Sequence, residues 1–268
     1  MQLVFHQGLL AAVVLLASPA QAQVSVEASP MRVELRAKPG DSSTQAVTLT
    51  NVGPAPVRVR ASLADWHLSR DGAPQFAAPE DGRPFAAAAW VRFAPPEFVL
   101  APGGSGTVRF TLTVPADAGA AGYRTSLLFD FLPETPDPAA GKRQVLFRSR
   151  IATLVYVHVG EPPAAVELTN LEVRSAVDQT QVVAALRNTS RRSVRTRGTL
   201  RIYDRTGLAV REILIPDVPV LPESERDLAI TAVDAASTLL SGDYRVELKL
   251  DLGMPALVVG ETTLRVSR

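Results

Sequence analysis

Two stretches of the chain carry the same landmarks in the same order, and this repetition constrains the fold more than any other feature. Asn51 is followed six residues later by Val57-Arg58-Val59-Arg60, and Asn188 six residues later by Val194-Arg195-Thr196-Arg197. Pro102 precedes Val108 by the spacing at which Pro222 precedes Leu228. Gly122-Tyr123-Arg124 is then answered by Gly242-Asp243-Tyr244-Arg245. The Pro-to-Tyr distances are 21 and 22 residues, whereas the Asn-to-Pro distances are 51 and 34. Matched landmarks of this kind predict two copies of one unit. The first copy carries an insertion of about 17 residues between its third and fifth strands.

The unit is built from strands. Ala46-Val-Thr-Leu-Thr50 and Thr107-Val-Arg-Phe-Thr-Leu-Thr-Val114 alternate apolar and polar residues and stop at Asn51-Val-Gly-Pro and at Pro115. Asp71-Gly72 is a hairpin signal. Period-two segments between Gly, Pro, Asp and Asn clusters give an all-β sandwich, with almost no helical periodicity after Val24. In immunoglobulin-like sandwiches a Tyr at the start of the sixth strand turns its hydroxyl back onto the backbone of the preceding corner. Tyr123 and Tyr244, with Ala121 and Gly242 two residues before them, fit that structural role.

The N-terminus reads as a targeting segment. Gly8–Ala17 is an apolar run too short to span a bilayer, and Ala20-Gln21-Ala22 is a small-residue cleavage site. Residues 1–22 are therefore expected to be a signal peptide, and the mature chain an exported protein that is not membrane-embedded. Gly160-Glu-Pro-Pro163 marks a stiff linker. The expected domains are 23–160 and 161–268, two immunoglobulin-like sandwiches in tandem.

Composition then removes function classes. With 28 Lys+Arg against 27 Asp+Glu there is no basic surplus for nucleic acid. The absence of cysteine excludes disulfides, thiolate catalysis and Cys-based metal sites. His67 and His158 lack metal-ligand spacing, and no acidic calcium loop is present. Gly103-Gly104-Ser105-Gly106-Thr107 has Thr where a nucleophile elbow needs its second Gly, and it precedes a strand. Neither an enzyme nor a cofactor is expected.

Over residues 24–114 the chain resembles the PapD-type periplasmic chaperones of chaperone–usher pili. Ser29-Pro30-Met31-Arg32-Val33 is similar to the family's first-strand motif, and Val47-Thr-Leu-Thr-Asn51 to its second. Trp66 before Asp71-Gly72 resembles the third-strand Trp, and Phe98-Val-Leu-Ala-Pro102-Gly103 the Pro-Gly turn. In the second half only Asn188-Thr189-Ser190 and the general pattern match. The resemblance implies a periplasmic chaperone that caps a pilin-like exported subunit by donor-strand complementation and delivers it to an outer-membrane usher. The last strand of domain one would fill the groove of the incomplete subunit, with backbone bonds giving affinity and side chains choosing pockets.

It also implies a basic pair for the subunit's terminal carboxylate, which Arg serves through its planar fork. Arg32 corresponds to the first-strand member. The second is a Lys in the family, where this chain has Ala152, with Arg148 and Arg150 as nearby basic substitutes. The donor strand is expected within Gln144–Val159, with Val145, Phe147 and Ile151 on one face and Leu146, Ala152, Leu154 and Tyr156 on the other. A one-residue shift exchanges the faces, so both stay open; Val155, Val157 and Val159 read as core. Tyr123-Arg124-Thr125-Ser126-Leu127 lacks the acidic residue that the family carries before Ser-Leu, a mark of a divergent branch. Two other readings stand beside the chaperone. One is an exported structural or adhesive protein with tandem immunoglobulin-like domains. The other is a carbohydrate-binding or enzymatic sandwich with a pocket around Trp66 and Trp90.

Overall fold

The computed structural model describes residues 25–132, 149–176, 179–234, 237 and 239–267. The first half forms β1 (Val26–Ser29), β2 (Arg32–Ala37), β3 (Ser42–Asn51), β4 (Val57–Leu68), β5 (Pro74–Ala77), β6 (Val91–Ala94), β7 (Glu97–Leu100), β8 (Ser105–Thr113), β9 (Ala121–Leu132) and β10 (Ser149–Val159). The second half forms β11 (Val166–Ser175), β12 (Thr180–Asn188), β13 (Val194–Arg195), β14 (Arg197–Tyr203), β15 (Ala209–Leu214), β16 (Pro219–Val220), β17 (Ser224–Val233), β18 (Gly242–Asp251) and β19 (Val258–Val266).

Each half is a two-sheet sandwich of the immunoglobulin-like kind. In the first, β1-β3-β8-β6 faces β2-β10-β9-β4-β5, with β7 also paired to β4. In the second, β11-β12-β17 faces β15-β14-β18-β19, and β13 pairs with β16. Alternation decides the faces: Val47 and Leu49 of β3 and Val108, Phe110 and Leu112 of β8 are buried, while Thr44, Thr48, Thr107 and Thr113 between them are exposed. They meet Val59, Leu127, Phe129, Phe131, Val155 and Val157 of the opposite sheet in one core. Val182, Leu186, Ile230, Leu200, Ile202, Leu248 and Leu264 form the second core. At about 1.5–3 kcal/mol for each fully buried large apolar side chain, packing supplies what disulfides do in many exported domains.

The repeat is visible atom by atom. Asn51 Nδ2 donates to the carbonyls of Ala55, Leu100 and Ala101 at 2.8, 3.2 and 3.3 Å. Asn188 Nδ2 donates to those of Arg192, Val220 and Leu221 at 2.8, 3.2 and 2.9 Å. Val57 pairs with Leu100, as Val194 pairs with Val220. Tyr123 and Tyr244 each donate a hydroxyl to the carbonyl four residues back, Gly119 at 3.0 Å and Leu240 at 2.9 Å. The left-handed residue after the proline is Gly103 (φ 69°) in one copy and Glu223 (φ 49°) in the other.

The extra residues of the first copy, between β5 and β6, fold over the start of β9. Phe85 accepts the Arg124 N–H, and Ala87 donates to the Arg124 carbonyl. The buried Asp65 carboxylate accepts the N–H groups of Ala87 and Ala88 at 3.2 and 3.0 Å, fixing the insertion to β4. Burial pushes the Asp65 carboxyl above its ordinary range, against the lowering by those bonds.

Candidate functional site

The two sandwiches meet along a seam, and its geometry defines the site. At one end the Asp71-Gly72 hairpin reaches β17. Asp227 N–H donates to the Arg70 carbonyl at 2.7 Å, and the Arg70 guanidinium pairs with Glu225 (2.8 Å) and Asp227 (2.9 Å). In the middle, Gly122 N–H donates to the Arg191 carbonyl at 2.8 Å. A Cβ at Gly122 would stand 2.9 Å from the Ser193 nitrogen, so the side-chain-free residue is what allows the backbones to approach. Arg191 also lies over the Phe85 ring, 5.6 Å from its centroid.

Between these contacts, β2 and β10 present one face to the second domain. Along β10 the odd residues Val155, Val157 and Val159 enter the first core, and Ile151 packs against it. The even residues turn the other way: Tyr156 is buried against Trp66 and Leu221, with Leu154 beside them. The Trp66 and Tyr156 rings stand edge to face at 5.1 Å, and Trp66 Nε1 donates to the Thr125 carbonyl at 2.7 Å. The alternation that sequence left open is thus decided for the described part of the strand: Ile151 belongs to the core face, and Ala152, Leu154 and Tyr156 to the opposite one.

Arg32 opens β2 on this cleft, 49% exposed, with Nε 3.4 Å from Glu34. Glu34 also meets Arg195 of the second domain at 3.5 Å, and Arg195 pairs with Asp217 at 2.6 Å. A chain Arg32–Glu34–Arg195–Asp217 therefore crosses the seam beside Tyr156. Burial raises the Tyr156 hydroxyl above its ordinary range, and Arg195 opposes that rise without cancelling it.

The sequence-expected partner of Arg32 lies elsewhere. In the parallel pairing of β2 with β10, Arg32 stands beside Leu154. Arg150 is four register positions away, about 13 Å along the strand. It forms a two-pronged pair with Asp130 of β9, at 2.7 and 3.1 Å. The cation that shares Glu34 with Arg32 across the cleft is Arg195, which is 21% exposed. Its place in the repeat, matching Arg58, is a signal of position in the sandwich and not of proximity to Arg32. Arg148, Val145 and Phe147 lie outside the described residues. Trp66 and Trp90 do not line a shared pocket among the described residues: Trp66 is 1% exposed in the seam, while Trp90, at the end of the inserted segment, packs on Tyr123 at 4.4 Å.

The edge of β10 completes the site. The strand pairs with β9 over its whole described length, but with β2 only from Leu154 to Val159. From Ser149 to Ala152 the side away from β9 has no partner strand among the described residues. Leu154 N–H donates to the Met31 carbonyl. The register is continuous, so two-residue alternation points the N–H and C=O groups of Ala152 and Arg150 to that same open side.

Among the described residues no helix is long and apolar enough to cross a membrane, and no group of three His, Asp or Glu residues is placed to hold a metal ion.

No family model and no curated protein matches the chain. Solved structures to which it is similar include the class 5 fimbriae chaperone CfaA, at 12% identity and a TM-score of 0.46, covering 91% of this chain and 100% of that one. The E. coli chaperone DraB is similar at 16% identity and a TM-score of 0.44, covering 91% and 97%. A chain of the Salmonella enterica SafA pilin–SafB chaperone complex is similar at 13% identity and a TM-score of 0.46, covering 92% and 99%.

Proposed function

We propose that this chain is an exported chaperone that binds a pilin-like subunit by strand addition at the open edge of β10. The observation that carries the reading is that edge. Ser149–Ala152 is held on one side by β9 and, among the described residues, has no partner strand on the other, immediately before β2 begins to cover the strand. Exposed edges are normally blunted because they recruit other chains, and here the edge opens beside a cleft. An incoming strand gains backbone bonds to Ala152 and Arg150, and Ile151 supplies an apolar side chain at the end of the core. Val145, Phe147 and Arg148, outside the described residues, stay candidate contacts on the sequence resemblance alone. Arg32, half exposed at the cleft mouth, is the group we assign to the subunit's terminal carboxylate. Arg195 adds positive charge behind it, and Arg150 remains a candidate second contact from the strand.

The reading includes a division into domains 23–160 and 161–268, removal of residues 1–22 on export to the periplasm, and hand-over to an outer-membrane usher. The division alone is supported by the stretch Gly160–Ala165, which separates β10 from β11.

The test is periplasmic co-expression with a candidate subunit and recovery of a one-to-one complex. Ala152→Pro removes an N–H that points to the open side, so the β9 ladder is kept while an added strand loses a bond and meets the ring. The expected result is an intact fold with the complex weakened at least about fivefold, since each such bond contributes roughly 1 kcal/mol. Arg32→Ala is expected to weaken the complex further. Full binding by a folded Ala152→Pro protein would refute strand addition at this edge. Full binding by Arg32→Ala would refute the carboxylate anchor.

A further inference from the structure

Beyond the edge and Arg32, the seam widens into a groove of about 770 Å³ between the end of β10, the linker and the second domain. Its walls carry five cations: Arg36 and Lys38 from the first domain, and Arg192, Arg195 and Arg197 from the second. They also carry four carboxylates, each already engaged. Glu161 pairs with Arg36 at 3.6 Å, and Glu34 lies between Arg32 and Arg195. Asp41 accepts the Lys38 backbone N–H at 2.7 Å, and Asp251 that of Gly253 at 2.9 Å. Among the described residues, Lys38, Arg192 and Arg197 have no carboxylate within ion-pair distance of their side chains. Arg192 is half-buried at the groove wall, where an unmatched guanidinium costs more than at an open surface.

We propose that this groove binds a small multivalent anion, a polycarboxylate or a polyphosphate, that bridges the two domains. The valence follows from the placement of the unmatched cations. Lys38 stands on the first domain and the two arginines on the second, so a monoanion satisfies one wall and a compact polyanion satisfies both. Arginine forks suit carboxylate and phosphate oxygens equally. The volume is that of a small-molecule site, and domain junctions are where such sites concentrate. His158 forms part of the wall. Burial, aided by Arg36, Arg192 and Arg195, lowers its pKa, so at neutral pH it offers the ligand a polar ring without adding a further charge. This inference does not depend on subunit binding.

Citrate and pyrophosphate are titrated into the full chain by calorimetry at fixed ionic strength, with acetate as the monovalent control. The expected result is one saturable site for citrate, pyrophosphate or both, and none for acetate. The pair of arms separates carboxylate from phosphate ligands. Arg192→Gln combined with Arg197→Gln is expected to weaken the site at least about tenfold while leaving the thermal midpoint without ligand unchanged. Arg109→Gln, on the far sheet, is expected to bind like the parent. Absence of saturation by both polyanions overturns the proposal, as does equal weakening in the Arg109→Gln control. Binding restricted to an acidic peptide overturns the assignment to a small ligand.

Discussion

The corner asparagines give the sharpest test of the two-copy architecture. Asn51 is fully buried. Its Nδ2 serves three carbonyls, and its Oδ1 accepts the Gly53 N–H at 3.0 Å. Asn51→Ala removes these bonds and leaves the buried Leu100 carbonyl at the end of β7 without its side-chain donor. At roughly 1 kcal/mol net per bond, with the two longer contacts sharing one donor, the loss is about 3 kcal/mol. Asn188 makes the same three donations and accepts from both the Ser190 N–H (2.9 Å) and its hydroxyl (2.7 Å). Asn188→Ala is therefore expected to cost about 3–4 kcal/mol. Either loss is a large part of the roughly 5–15 kcal/mol that holds a domain folded. Asn51→Asp separates geometry from size: it keeps the shape but turns an oxygen toward three carbonyls, so at neutral pH it should be at least as damaging as alanine. Urea unfolding reads both sites. Trp66 and Trp90 both belong to the first sandwich, so fluorescence follows Asn51, while far-UV circular dichroism follows both domains. If Asn51→Ala costs less than about 1 kcal/mol, or Asn51→Asp matches the parent, the amide is not the donor that organises the corner, and the reasoning fails.

Three further outcomes are expected. Gly122→Ala should loosen the seam without unfolding either core, because its Cβ would press on Ser193 and Pro222. Limited proteolysis at Pro162-Pro163 should then speed up, and unchanged cleavage would count against a close backbone contact. Glu223→Gly should raise stability by about 0.5–1 kcal/mol, since a left-handed residue with a Cβ is strained and Gly103 fills the matching position; a lower melting temperature would contradict this. Finally, His158 has a folded-state pKa lowered below 6.5 by burial first, with Arg36, Arg192 and Arg195 adding to the effect and Glu34 opposing it. As pH falls through 6.5 the unfolded chain takes up the proton before the native one, so stability drops between that value and the lowered one, by at most about 1.4 kcal/mol per pH unit. His158→Gln should flatten that part of the stability curve measured by urea titration, and an unchanged slope would refute the assignment.

Much of the fold was legible because it is encoded over short distances. Alternation along β3 and β8 fixed which side chains enter the core, and the spacing of Asn51, Pro102 and Tyr123 against Asn188, Pro222 and Tyr244 exposed the duplication. The hydroxyl bonds of the two tyrosines reach only four residues back, so their role followed from local context. The site was less legible. Arg32 was singled out by resemblance, and a strand through Ile151 was expected where β10 lies. Which basic residue of the strand could stand with Arg32 was left open between Arg148 and Arg150, because it depends on register: Arg32 lies beside Leu154, four positions from Arg150.

What the sequence by itself determined is therefore a pair of cysteine-free sandwiches and the segments from which they are made. What only the tertiary structure decided is which of those segments stop short of a partner and which meet. β2 reaches back along β10 only as far as Leu154, leaving Ser149–Ala152 without a partner on that side among the described residues, and Arg195 comes within reach of Glu34 and Tyr156 although 161 residues separate it from Glu34. Period and spacing report the forces within one strand and one corner. Strand register across a sheet, and the docking of one sandwich on another, are set by packing between residues far apart in the chain, and no local pattern records them.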